Sequence, residues 1–143
     1  MDHHRGIPTQ HIGIVAGTAE GAALCYRRIC QEADTRPGSH AHPEVTMHTF
    51  PLHLYLHAIQ QKDWRTVAAL MSQSAEKLAL AGADFIICPN NTLHQAFDRI
   101  DSPIPWLHIV DVVATETARR GFHRVGLVGT SREPTTEMFS KAS

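Results

Sequence analysis

Three short segments of this sequence concentrate small residues and hydrogen-bonding side chains: Gly17-Thr18, Pro89-Asn90-Asn91-Thr92 and Gly129-Thr130-Ser131. Amides and hydroxyls are neutral donors, and glycine lets a ligand approach the backbone closely. Together they have the chemistry of a carboxylate site. Two readings stand for Thr18 and Glu20, which follow the first glycine. They contact a ligand's carboxylate and amino group respectively, or they cap the helix that starts there. His94, just after the Asn-Asn-Thr run, orients that loop or supplies positive potential, or else faces solvent at a helix start.

The other reactive residues give weaker signals. Cys25, Cys30 and Cys88 are an odd count without metal-ligand spacing. Such usage suits a reducing compartment better than a disulfide scaffold. Cys88 lies two residues before Asn90, on the same side of a continued strand and about 7 Å back. It is a displaced nucleophile or a core residue, and the core is the commoner fate. Cys25 and Cys30 lie on or beside a helix's apolar stripe and are expected to pack. His40 and His42, and His53 and His57, have no carboxylate or cysteine companion at a ligand spacing, so no metal site is expected.

These groups need a scaffold, and the hydrophobic pattern predicts one. His11 to Ala16 is a short apolar run ending at Gly17, as a buried strand does. Helical spacing follows from about Ala19 to Ala33, then a Pro/Gly/His loop from Thr35 to Pro43. Val45 to Phe50 reads as a second strand, and Pro51 to Gln61 as a segment that is ambiguous but suits a short helix. The clearest helix has Asp63 as its N-cap, a stripe through Val67, Met71, Ala75 and Leu78, and Gly82 at its end. Asp84 to Cys88 is a third strand, and a helix follows through Gln95 and Ala96 to Ile100. Trp106 to Ile109 is a fourth strand, Asp111 to Arg120 a helix capped by Asp111, and Arg124 to Val128 a fifth strand. Strand and helix in near-strict alternation predict an α/β fold, a parallel sheet with helices on both faces. Ligands bind such sheets at the carboxyl ends of the strands, where the three polar segments fall.

Composition sets the class. The chain has 143 residues, 43% hydrophobic and 19% charged, with a net charge of −1. That is an ordinary globular balance, and it offers no basic surface for nucleic acid or an anionic membrane. No run approaches the roughly 20 apolar residues of a membrane span. Residues 1–10 are a polar tail without a signal peptide's apolar stretch, so a cytoplasmic protein is expected.

Five segments, in order, resemble the aspartate/glutamate racemase family. Ile12-Gly13-Ile14-Val15-Ala16-Gly17 is similar to its opening strand and glycine turn. Asp63-Trp64 with its helix, and Ala81 to Ile87, resemble the approach to its signature. The family's Cys-Asn-Thr-Ala-His signature corresponds to Asn90-Asn91-Thr92-Leu93-His94, and Pro105 to Val110 to the next strand. Val125 to Thr130 is similar to the opening of its second, pseudo-symmetric domain. The resemblance implies a flavodoxin-like domain over 11–110 and the beginning of a second over 111–143. It implies cofactor-independent proton transfer at the carbon next to a carboxylate, on a small carboxylate or acidic amino acid. In the family two cysteines, one per domain, act from opposite faces of the substrate.

By that resemblance Gly17, Thr18, Asn91, Thr92 and His94 contact substrate, with Thr130 as the matching donor of the second domain. Asn90 stands at the first catalytic cysteine's position, where an amide cannot remove a proton. The second cysteine would lie beyond Ser143. The expectation is therefore a fragment or degenerate copy, inactive alone. The alternative is a non-catalytic carboxylate-binding or oligomerisation module. Family members commonly form dimers, which carries a homodimer over as an expectation.

Overall fold

The computed structural model describes residues 10–33 and 40–126. Three strands form one parallel sheet: β1 (Ile12–Ala16), β2 (Val45–Thr49) and β3 (Phe85–Ile87), in the order β2-β1-β3. The register pairs Ile12 with both Val45 and Phe85, and Ile14 with Met47 and Ile87. Helix α1 (Ala19–Ala33) carries the chain from β1 to β2. Helices α2 (Leu52–Gln60) and α3 (Trp64–Leu80) carry it back across β1 to β3.

Alternation along the strands sorts the core into two layers. Ile14 and Ala16 are buried with Ala22 on the α1 side, where Ile12, Ile29, Val45 and Ile87 join them. Val15, Ile86 and Cys88 point the other way and pack on Tyr55 of α2 and on Val67, Met71, Ala75 and Leu78 of α3. The chain leaves β1 in one direction and returns past it in the other. A constant crossover hand then requires the helices to lie on opposite faces, as they do.

Local signals set the helix ends. Asp63 Oδ1 accepts from Thr66 N at 3.1 Å, and its Oδ2 from Thr66 Oγ1 at 2.6 Å, so Asp63 is the N-cap of α3. Gly82, two residues past that helix, takes φ +91°, which a side chain would strain. Pro51 stands at the N-cap position of α2, so the ambiguous segment is helical.

Four expectations are corrected. Trp106 to Ile109 is no fourth strand: only an isolated parallel bridge joins Trp106 to Ile86, and helix α4 already begins there (Ile109–Arg119). Its cap is His108, whose Nδ1 accepts from Val110 N at 3.1 Å, while Asp111 lies in the first turn. The segment after β3 is a 3-10 helix, Thr92–Arg99, which starts three residues before Gln95. Arg124 to Gly126 form no strand, and the rest of the expected fifth strand lies outside the described residues. Among the described residues no helix is long and apolar enough to cross a membrane.

Candidate active site

The loops after β1 and β3 are neighbours because their strands pair, and they then diverge to opposite faces of the sheet. This is the crevice in which open α/β sheets hold ligands. After β1, Thr18 caps α1: its Oγ1 accepts from Gly21 N at 3.3 Å, and its carbonyl from Ala22 N at 3.1 Å. Capping is the structural one of its two readings. Thr18 nonetheless lines the crevice.

After β3 the chain turns sharply, with Asn90 N donating to Cys88 O at 2.9 Å. Asn90 Oδ1 accepts from Leu93 N at 3.1 Å, which fixes the amide's orientation. The oxygen is committed to the loop, so the NH2 end faces the other way, against Gly17. A Cβ built on Gly17 would lie 2.7 Å from Asn90 Nδ2 and 2.9 Å from Leu93 Cδ1. Only a residue without a side chain fits at position 17 beside this amide.

His94 braces the arrangement from behind. One ring nitrogen, Nδ1, lies 2.8 Å from Asn90 O, and a carbonyl can only accept, so Nδ1 carries the proton. Nε2 is then free to accept from Ile109 N, at 3.3 Å. A single neutral tautomer thus joins the β3 loop to the first residue of α4. His94 is 3% exposed, with its ring centroid 4.8 Å from that of His108 and 5.9 Å from that of Phe97. Burial pushes its pKa down to about 4, partly opposed by the bond to Asn90 O and reinforced by His108. What the ring holds is the Asn90 carbonyl and the backbone of Ile109. The expectations of a solvent-facing ring and of a source of positive potential are both overturned.

Between the loops lies an open cleft of about 540 Å³, lined by Thr18, Pro89, Asn90, Asn91 and Thr92 and by Leu24, Cys25 and Ile109. The Asn91 and Thr92 side chains make no hydrogen bond to another described residue, which leaves them available to a ligand. No charged side chain lines the cleft among the described residues. Cys88 is outside it, 3% exposed in the core, and desolvation pushes its thiol up to about 12. A displaced-nucleophile role does not fit so buried a group.

The Asp/Glu/hydantoin racemase family model matches residues 12–143. The chain belongs to that family. Among solved members and relatives, an aspartate racemase homologue from Pyrococcus horikoshii OT3 is 26% identical with a TM-score of 0.81. The match covers 93% of this chain and 59% of that one. A Yersinia pestis protein assigned to the Asp/Glu racemases is 28% identical with a TM-score of 0.79, over 86% and 55% of the two chains. Picrophilus torridus aspartate racemase, 18% identical, shares the fold with a TM-score of 0.74, over 93% and 58%. The chain thus spans little more than half the length of these proteins. In this racemase-family chain the cleft collects Thr18, Asn90, Asn91 and Thr92, while Gly17 and His94, expected at the substrate, do not line it. Thr130 lies outside the described residues. Gly21, Leu24, Cys25 and Ile109 went unforeseen as lining. The three on α1 lie three, six and seven residues past Thr18, on one face of the helix, but that spacing alone does not tell a cleft from a core.

Proposed function

We propose that this chain builds one binding face of a racemase-type site for a small carboxylate or acidic amino acid. The carboxylate is held by neutral donors and no cofactor is used. The observation that carries the reading is the fixed amide of Asn90. Its Oδ1 is bonded by Leu93 N, so its NH2 is the end left for a ligand, beside the unbonded side chains of Asn91 and Thr92. Donors preset toward an anion bind it without reorganising, and in a racemase-type reaction they stabilise the charge that develops on the carboxylate. Asn90 cannot act as the base that a thiolate would be, so on this face it binds rather than abstracts a proton. That favours a second reading, a carboxylate-binding module without turnover.

Two measurements test these. Titration of the labelled chain with acetate, followed by amide NMR, should shift Asn91 and Thr92. Asn90→Asp should keep the fold, because a carboxylate oxygen still accepts from Leu93 N, and abolish the shifts by placing an anion at the site. Unchanged binding in Asn90→Asp would overturn the assignment. Exchange of the substrate Cα proton with solvent deuterium separates turnover from binding alone.

A further inference from the structure

The cleft has an apolar part beside its donors. Leu24 is 58% exposed and opens on the cleft, an unusual placement for a bare leucine beside hydrogen-bonding groups. Cys25, one residue on, is half-buried in the same wall, and its thiol is pushed up by burial and stays neutral. Ile109, at the start of α4, lines the cleft as well. The nearest acid on α1, Glu20, and the arginines at 27 and 28 do not line the cleft. A ligand held at Asn90, Asn91 and Thr92 therefore lays its next atoms on two aliphatic side chains and a neutral thiol.

We propose that the site selects a monocarboxylate whose arm is uncharged, the arm lying on Leu24 and Ile109. This rests on the carboxylate-binding reading above and narrows it. A second carboxylate on the arm would lose water against an apolar wall without a cation among the described lining residues to replace it. An alkyl arm instead covers apolar surface that is otherwise wet. Charged and apolar four-carbon acids of the same length thus discriminate on one feature.

The experiment is a pair of NMR titrations of the full 143-residue chain, with butyrate and with succinate at constant ionic strength. Resonances of Asn91 and Thr92 report the donors, and those of Leu24 and Ile109 the wall. Butyrate should shift both sets and bind at least roughly fivefold tighter than succinate, a modest ratio because the cleft is open. Leu24→Arg, at an exposed position that tolerates a long side chain, should reverse the order. If succinate binds the unaltered chain as tightly as butyrate while shifting Asn91 and Thr92, the selectivity is wrong and the carboxylate site stands. If neither acid shifts Asn91 and Thr92, both readings fall. An unchanged ratio in Leu24→Arg overturns the role of the α1 wall.

Discussion

His94 offers a test in which the structure sets both sign and size. Unfolded, its imidazole titrates near 6.5, whereas the folded environment pushes it down to about 4. Between those values the unfolded chain holds the proton and the folded chain does not. Stability therefore rises with pH through this window; the contribution is fully present above about 6.5 and is lost as pH falls toward about 4. The gap corresponds to roughly 3 kcal/mol, with a slope nearing 1.4 kcal/mol per pH unit mid-window. His94→Phe removes the titration and keeps an aromatic ring beside Phe97, but it orphans Asn90 O and Ile109 N. Each orphaned group costs about 1–3 kcal/mol. At pH 7.5 the variant should thus be less stable by about 2–4 kcal/mol, and near pH 4 the difference should shrink toward nothing. Urea midpoints for both proteins at several pH values measure this. The wild-type minus variant difference cancels His48, which burial also lowers and which bonds Ser74 rather than the site. Parallel curves from pH 7.5 to 4 would refute a buried, neutral, doubly bonded His94.

Two further outcomes follow from the same geometry. Gly17→Ala puts a Cβ 2.7 Å from Asn90 Nδ2, and overpacking of this kind should cost about 1–3 kcal/mol. Adding Asn90→Ala should recover part of that loss, and strictly additive urea midpoints would show that the two residues do not touch. Under native conditions iodoacetamide should leave Cys88 unmodified, because its thiol is buried and pushed up to about 12, and should modify Cys25 slowly. Mass spectrometry checks both, and Cys88 labelling without denaturant would contradict its place in the core.

The sequence foretold this fold best where one periodicity ran unopposed. β1 and α3 combine apolar patterning with a cap or a glycine, and their boundaries agree with the structure to within a residue or two. Trp106 to Ile109 failed for a physical reason. Pro105 accepts from Ile86 N at 2.8 Å and Leu107 N returns a bond to Ile86 O at 2.9 Å, which makes one bridge. His108 then uses its ring to cap a helix, and pairing stops. Periodicity reports that a segment is apolar, and cannot report that a histidine will take the capping role from Asp111. In the site, strand ends were legible because topology alone puts them together. Leu24 and Cys25 were not, because a half-exposed apolar residue at helical spacing reads the same whether it faces a core or a cleft. His94's burial was equally hidden, since it depends on Phe97 of its own short helix and on His108 and Ile109 arriving from a later part of the chain.

Asn90 is best understood through what its loop requires. The turn after β3 leaves Leu93 N at the start of a short helix, where a backbone donor has no partner of its own. The amide oxygen of Asn90 supplies that partner, and the Asn90 carbonyl accepts a hydrogen bond from His94 Nδ1. A thiol at this position would be a far weaker acceptor for Leu93 N, so the loop would depend more heavily on the His94 brace. An amide does two things at once: it closes the turn with one end and presents a donor with the other, and it fits over Gly17 because that residue has no side chain. An amide offers no base, and the same group stiffens this face. If the cleft takes a carboxylate, as proposed above, a stiff face bearing only neutral donors favours that anion and does nothing to its neighbouring proton. On the carboxylate-binding reading proposed above, affinity and proton transfer are separable properties of this face of the cleft, and the geometry around Asn90 suits the first without the second.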